Sequence, residues 1–336
     1  MNLLQRLVEK INRIDSRVFI FVILGGNILS FCLVSNEELH LQYAKHYFNP
    51  DWIPNSFILS DWPGYRVIFQ ILLAPLLICF DFETTAFIAR FISILLFIIP
   101  LSRLFKLIQL TNIDVLLLLQ LYFFFNQAFF GGEWIFGSIE PKTLAYPFIF
   151  LSLYYLLKEK FYHSYIILAV ATYLHVLAGA WVFVLFSFYL LFAKQNLIKI
   201  ISFSFIYLIL LSPFFYYLIN ELLINNQSAI NGIDINWVIV YIRSPHHFGP
   251  FLSMTYFFQN FLLGILFSIA SMLICIFIFS KYENEILKKI NKLTIIIFSM
   301  LLLFVFISYF DKNGHFMKYH PFRLSALSMF LFFAYS

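Results

Sequence analysis

The stretch FETTAFIARFISILLFIIPLSRLFK, residues 82–106, decides the fold class. From Thr85 to Ser102 it carries one charge, Arg90, and it closes on Arg103 and Lys106. An apolar run of that length fits the hydrocarbon core of a bilayer, not the one-sided stripe of a soluble helix. Counterparts recur along the chain, at Val18–Val34 and at roughly 113–130, 144–157, 164–177, 179–193, 197–219, 255–279, 293–310 and 322–336. Composition agrees: 62% of the 336 residues are hydrophobic, 46 are Phe, and only 12% are charged. Soluble domains carry about 25% charged residues, so this chain lacks the polar groups to cover a water-facing surface. The expectation is an all-α, polytopic integral membrane protein of about ten transmembrane helices, a single transmembrane domain over 1–336. A secreted disulfide scaffold, a nucleic-acid-binding domain and a cytosolic enzyme are excluded. Cys32, Cys79 and Cys275 lie far apart in apolar stretches without metal-ligand spacing, and read as small buried residues.

Charge orients the chain. Tyr65–Phe80 is apolar but only 16 residues long and holds Arg66 and Pro75, short of the roughly 20 that a spanning helix needs. If it does not span, Arg6, Lys10, Arg13, Arg17, Arg103, Lys106, Lys158, Lys160, Lys194, Lys199, Lys281, Lys288, Lys289 and Lys292 all face the cytoplasm, 14 of the 22 Lys and Arg. If it spans, ten of these move outside, against the positive-inside rule. The segment is therefore expected to lie in the outer interface, with the N-terminus cytoplasmic and the first helix uncleaved. The basic excess of +5 is an orientation signal and not a nucleic-acid footprint. Eleven of 17 acids and seven of eight histidines then fall outside, either because the outer loops are long or because they hold an active site.

Three outer segments carry the candidate chemistry. The first outer loop, 35–84, opens with Asn36-Glu37-Glu38 and continues through Tyr43-Ala44, Asp51-Trp52 and Asp61-Trp62-Pro63-Gly64-Tyr65. The acidic pair reads either as helix N-terminal charge favoured by the dipole or as a desolvated acid suited to proton transfer. The second runs Gly131-Gly132-Glu133-Trp134 to Ser138-Ile139-Glu140-Pro141-Lys142. Glu140 is either a second acid or a charge neutralised by Lys142. The third, within the large loop 220–254, reads Arg243-Ser244-Pro245-His246-His247-Phe248-Gly249-Pro250. A guanidinium and two imidazoles between prolines suit a phosphate; adjacent histidines diverge on a regular helix, which disfavours a metal. Arg90, at membrane depth, calls for a partner such as Glu83 or for snorkelling to the outer surface. Asp114 caps the start of a span.

The order of an acidic pair after the first span, Tyr43-Ala44, Asp51-Trp52, an aromatic interfacial helix, and then Glu83 and Ala89-Arg90 opening a span that ends in Arg103 and Lys106 resembles the GT-C superfamily. These are membrane glycosyltransferases that use polyprenyl-phosphate-linked sugars, such as the aminoarabinose and protein O-mannosyl transferases. Phe161–Lys194 is similar to the family's short hairpin, with His175 at the apex where many members carry lysine, and Lys318-Tyr319-His320-Pro321-Phe322-Arg323 is similar to its basic entry to a late span. The leading acid of the family is often Asp; here Asn36 stands in that place, followed by Glu37 and Glu38. The family's usual C-terminal soluble domain has no counterpart in this sequence.

The resemblance implies transfer of a sugar from a polyprenyl-phosphate donor to a lipid, glycan or protein acceptor, on the outer face of a bacterial inner membrane. Glu37, Glu38 or Glu140 would act as the base, and Arg243, His246, His247, His175, Lys318, Arg323 and Arg90 would bind donor or acceptor. Membrane lipid and the lipid-linked donor are the expected partners, with no nucleic acid; a divalent metal is left open. A secondary transporter or flippase, a surface-polysaccharide polymerase or ligase, and a non-catalytic membrane subunit are the alternatives. Polar residues sit mainly outside the spans, which weighs against the transporter.

Overall fold

The computed structural model describes residues 3–56, 59, 66–224, 229–230 and 233–336. The Asp61–Tyr65 motif lies outside them. The described chain is helical almost throughout. In order the helices are α1 (Leu3–Asn12), α2 (Ser16–Ile28), α3 (Glu37–Phe48), α4 (Val67–Cys79), α5 (Phe82–Leu107), α6 (Asn112–Phe124), α7 (Pro141–Leu157), α8 (Phe161–Leu174), α9 (Val176–Phe192), α10 (Leu197–Ile224), α11 (Ile235–Trp237), α12 (Pro245–Phe248), α13 (Met254–Asn260), α14 (Leu262–Phe277), α15 (Glu285–Phe310) and α16 (Leu324–Tyr335). A π-helical turn, Val238–Arg243, continues α11, and a 3-10 turn, Pro321–Arg323, leads into α16. Ala229–Ile230 pairs antiparallel with Ile233–Asp234.

Four helices among the described residues are long and apolar enough to cross a membrane: Phe82–Leu107, Leu197–Tyr216, Leu262–Lys281 and Glu285–Phe310. The helices α2, α4, α6, α8 and α9 are apolar but shorter, 13 to 17 residues. At ~1.5 Å per residue, α4 covers about 20 Å, well under a ~30 Å hydrocarbon core. The apolar run at 255–279 is divided between α13 and α14, and the run at 113–130 stops being helical after Phe124.

The long helices start where side chains satisfy their first N–H groups. Asp81 accepts from Thr84 N at 2.7 Å ahead of α5, and Asn284 accepts from Ile286 N at 2.9 Å ahead of α15. Proline opens α7 and α12 at the first turn, where its missing N–H is no loss. Asp114 accepts from Thr111 N and Oγ1, both at 2.8 Å, at the start of α6.

The chain divides into two compact units, each discontinuous in sequence: 1–116, 136–179 and 203–222 form one, and 117–135, 180–202 and 223–336 the other. In the first unit α5 packs on α2 and α7, α7 on α8, and α3 on α4. Its core is aromatic and aliphatic, with the Phe97 ring 4.8 Å from that of Phe136. Buried Ser152 and Ser164 clasp α7 to α8, each hydroxyl donating to the other's carbonyl at 2.7 and 2.9 Å, as small polar residues do where helices approach closely. Gly179 permits a second close approach: a Cβ there would lie 2.1 Å from Thr172 Oγ1. In the second unit α15 packs on α14 and α16. Tyr122 OH donates to Ala326 O at 3.1 Å, and Ser325 Oγ accepts from Phe129 N at 3.1 Å.

Cys275 is buried as expected, but Cys32 and Cys79 are exposed. An apolar sequence context specifies a greasy neighbourhood, and in a membrane protein that neighbourhood includes the lipid-facing surface.

Candidate functional site

Polar side chains gather in two clusters, one in each unit. In the first unit the centre is a buried ion pair. Arg90 Nε donates to Glu37 Oε1 at 2.7 Å and Arg90 Nη2 donates to Glu37 Oε2, a bidentate fork between two fully buried side chains. Arg90 Nη1 also donates to Ser30 O and Oγ, both at 2.7 Å, and Nη2 to Cys32 O at 2.6 Å. Glu37 accepts two backbone N–H bonds as well, from Ile139 at 2.6 Å and Val34 at 2.9 Å. Each carboxylate oxygen thus takes two donors, and each nitrogen of the guanidinium is engaged. Arg90 therefore neither snorkels nor pairs with Glu83. Its partner is Glu37, and the pair ties the end of the first apolar run, the start of α3 and the loop before α7 to α5. Groups so saturated hold structure together and have no capacity left for a substrate.

The same unit brings Glu140 and Lys142 near this pair through Ile139, which bonds Glu37, and Asn36, which bonds Glu140. Both are nearly buried. Glu140 Oε1 accepts from Asn36 Nδ2 and from Ser138 Oγ, each at 3.2 Å, and Oε2 lies 3.7 Å from Lys142 Nζ. These contacts are long and leave Glu140 accepting capacity that Glu37 lacks. Glu38, one residue after Glu37 on α3, is exposed. His40, on the buried face of α3, has its imidazole pushed down to about 3, first by burial and then by the charges of Arg66 and Lys142, so it is neutral at physiological pH. The same unit holds an apolar cavity of about 600 Å³, lined by Leu72, Leu76, Leu96 and Phe148 together with Ile139, the residue before Glu140, and Leu144; Glu140 itself is not in its lining.

His175 does not stand open at an apex. It is buried at the turn between α8 and α9, where its Nδ1 accepts from Ala178 N at 3.1 Å and its carbonyl accepts from Gly179 N. That assigns the proton to Nε2 and makes the ring a cap for α9.

In the second unit the buried carboxylate is Glu133. Arg323 Nη1 lies 3.5 Å from its Oε2, while His247 Nδ1 and His320 Nδ1 lie 3.8 and 4.0 Å from its Oε1. His247 Nδ1 also bonds Gly131 O at 2.7 Å. Gly132 faces the rings of His246 and His247, which a Cβ would meet at 3.6 to 3.7 Å, and its backbone φ of +57° favours glycine. His246 and His247, expected to diverge, have ring centroids 4.1 Å apart on the single turn of α12. Arg243 ends the π-helical turn and is exposed. Lys318 donates to Asn236 Oδ1 at 2.9 Å.

Glu133, His320, His40 and Lys142 join these clusters without having been singled out from sequence as site residues. The glycines before Glu133 were the available signal, since φ values of +80° and +57° at Gly131 and Gly132 turn the chain inward. For His40 the signal was its spacing of three from Glu37 on one helix face. Among the described residues no group of three or more His, Cys, Asp or Glu side chains is placed to hold a metal ion. No family model, curated protein or solved structure matches this chain.

Proposed function

We propose that this chain is a membrane glycosyltransferase of the GT-C kind, moving a sugar from a polyprenyl-phosphate donor to a lipid, glycan or protein acceptor. The reading counts α2, α6, α7, α8, α9 and α16 as spans with the four long helices and leaves α4 in the outer interface, giving about ten spans in a bacterial inner membrane with outer loops that carry the chemistry. One observation carries it: a nearly buried carboxylate, Glu140, held by Asn36, Ser138 and Lys142 where the neighbouring residues Ile139 and Leu144 line an apolar cavity. A lipid-linked sugar needs both halves of that arrangement, an apolar bed for its chain and an acid–base group at the reacting end.

Glu140 then takes the proton of the acceptor hydroxyl as it attacks the anomeric carbon, with exposed Glu38 the second candidate; Glu37 serves the fold through Arg90. In the second unit, exposed Arg243 and His246 carry charge and hydrogen-bond donors of the kind a phosphate takes. Glu133 holds His247, His320 and Arg323 around it as the support of that segment.

The test is transfer from a radiolabelled polyprenyl-phosphate sugar by the purified protein in detergent. Glu140→Gln should lower turnover roughly 10²–10⁴-fold, the usual weight of a general base, with the thermal midpoint retained. Full turnover in both Glu140→Gln and Glu38→Gln removes the acid from the mechanism, and sugar moved across vesicles without a new glycosidic bond replaces transferase with transporter.

A further inference from the structure

A second cavity, of about 810 Å³, lies in the second unit and takes no part in the proposed transfer. It is an open groove between α9 and α15. Trp181, Phe188, Ile295, Ser299, Leu303 and Phe304 line its length, and Lys288, Asn291 and Lys292 line one end. From Lys288 to Ile307 the α15 wall covers about 28 Å at ~1.5 Å per residue, close to the ~30 Å of a hydrocarbon core.

The polar end is chemically unbalanced. Lys288, Lys289 and Lys292 crowd the first turns of α15, where the helix dipole is already positive. Lys288 is met by Glu285 at 2.8 Å, an exposed pair, and half-buried Lys292 donates to Phe192 O. An ammonium has three donors, so each lysine retains some. Asn291 is 5% exposed, and its Nδ2 donates to Cys275 O at 3.0 Å, yet its Oδ1 has no hydrogen-bond partner among the described residues. That amide is turned toward α14 and its oxygen is closed off, so the charge at this end of the groove comes from the lysines.

We propose that this groove holds an anionic phospholipid. Its phosphate sits at Lys288 and Lys292, and an acyl chain lies along α15 toward Trp181. Phosphatidylglycerol and phosphatidylethanol have this charge; phosphatidylcholine lacks it. The proposal rests on α15 lying in a membrane and not on glycosyl transfer.

Native mass spectrometry of the full chain in detergent, titrated with each of the three lipids at matched acyl chains, tests it. Phosphatidylglycerol should be retained about tenfold better than phosphatidylcholine, since basic side chains at a membrane surface each favour an anionic lipid. Lys288→Gln with Lys292→Gln should erase that preference, whereas Lys194→Gln with Lys199→Gln should leave it. Phosphatidylethanol should be retained as phosphatidylglycerol is, and Ser299→Trp, which fills the groove, should lower retention of all three. Equal retention of charged and neutral lipid, or a preference unchanged in the Lys288/Lys292 variant, overturns the site. Displacement by polyprenyl phosphate but not by phosphatidylglycerol overturns the assignment of the occupant.

Discussion

Glu37 and Arg90 illustrate what adjacency in a sequence conceals. Glu37 and Glu38 are neighbours of one type, yet the first is sealed in a saturated fork and the second faces outward. Removing one partner of a buried pair leaves the other charge uncompensated, a loss of about 3–5 kcal/mol. Glu37→Gln should therefore lower the thermal midpoint in detergent sharply, while Glu38→Gln leaves it in place; equal midpoints would remove the structural role from Glu37. The sequence showed that Arg90 needed a partner, but not which one, because the partner lies 53 residues away and only packing of α3 against α5 brings it near. His40 supplies a pH signature at the same scale. Its folded value of about 3 lies below the ordinary 6.5, so the unfolded chain binds the proton first as pH falls. The stability tied to neutral His40 is fully present above pH 6.5 and drains as pH drops from 6.5 toward 3, at up to about 1.4 kcal/mol per pH unit. Midpoints measured between pH 7.5 and 4.5 should decline less steeply in His40→Gln than in the unaltered protein, and parallel curves would contradict this.

At the scale of elements, legibility followed the chemistry of helix ends. The starts of α5 and α15 carry Asp81 and Asn284, capping residues visible in the sequence. Several helix ends carry no glycine. Gln109, Glu159 and Lys194 take the left-handed conformation instead, with φ of 63°, 58° and 57°. At Lys194 the closing bonds run from its own N–H to Leu191 O at 3.0 Å and from Gln195 N to Leu190 O at 3.1 Å, the paired pattern that usually selects glycine. A side chain in that conformation costs about 1–2 kcal/mol, part of which glycine returns to the unfolded chain as entropy. Lys194→Gly should thus raise stability by up to about 1 kcal/mol, read as a higher thermal midpoint. A lower midpoint would show that the lysine side chain makes a contact worth more than the strain. The approach of the His246 and His247 rings was not legible from backbone periodicity, which fixes where side chains leave a helix and not how their torsions bring the rings together.

For the whole molecule, helical class and the apolar helices were readable from composition, because half the usual charge leaves no aqueous surface to build. The division into two units was not, since each is assembled from separate stretches of chain. The grouping of Glu133 with Arg323, and of Glu140 with Asn36 and Lys142, belongs to that same long-range order. The proposed function requires a sidedness that would put both carboxylate clusters outside and the lysines of α15 within. That sidedness turns on α4, which the positive-inside count keeps in the interface; its 13 residues match α2 and α6 in length, and Pro75 lies within it. The most direct measurement is labelling by a membrane-impermeant thiol reagent in intact cells, in a background with Cys32 and Cys79 replaced by Ser. Asn55→Cys should label at once, and Lys288→Cys should label only after the membrane is permeabilised. Labelling of Lys288→Cys in intact cells, with Asn55→Cys also accessible, would make α4 a span, invert every later loop and remove the outward-facing site from this chain.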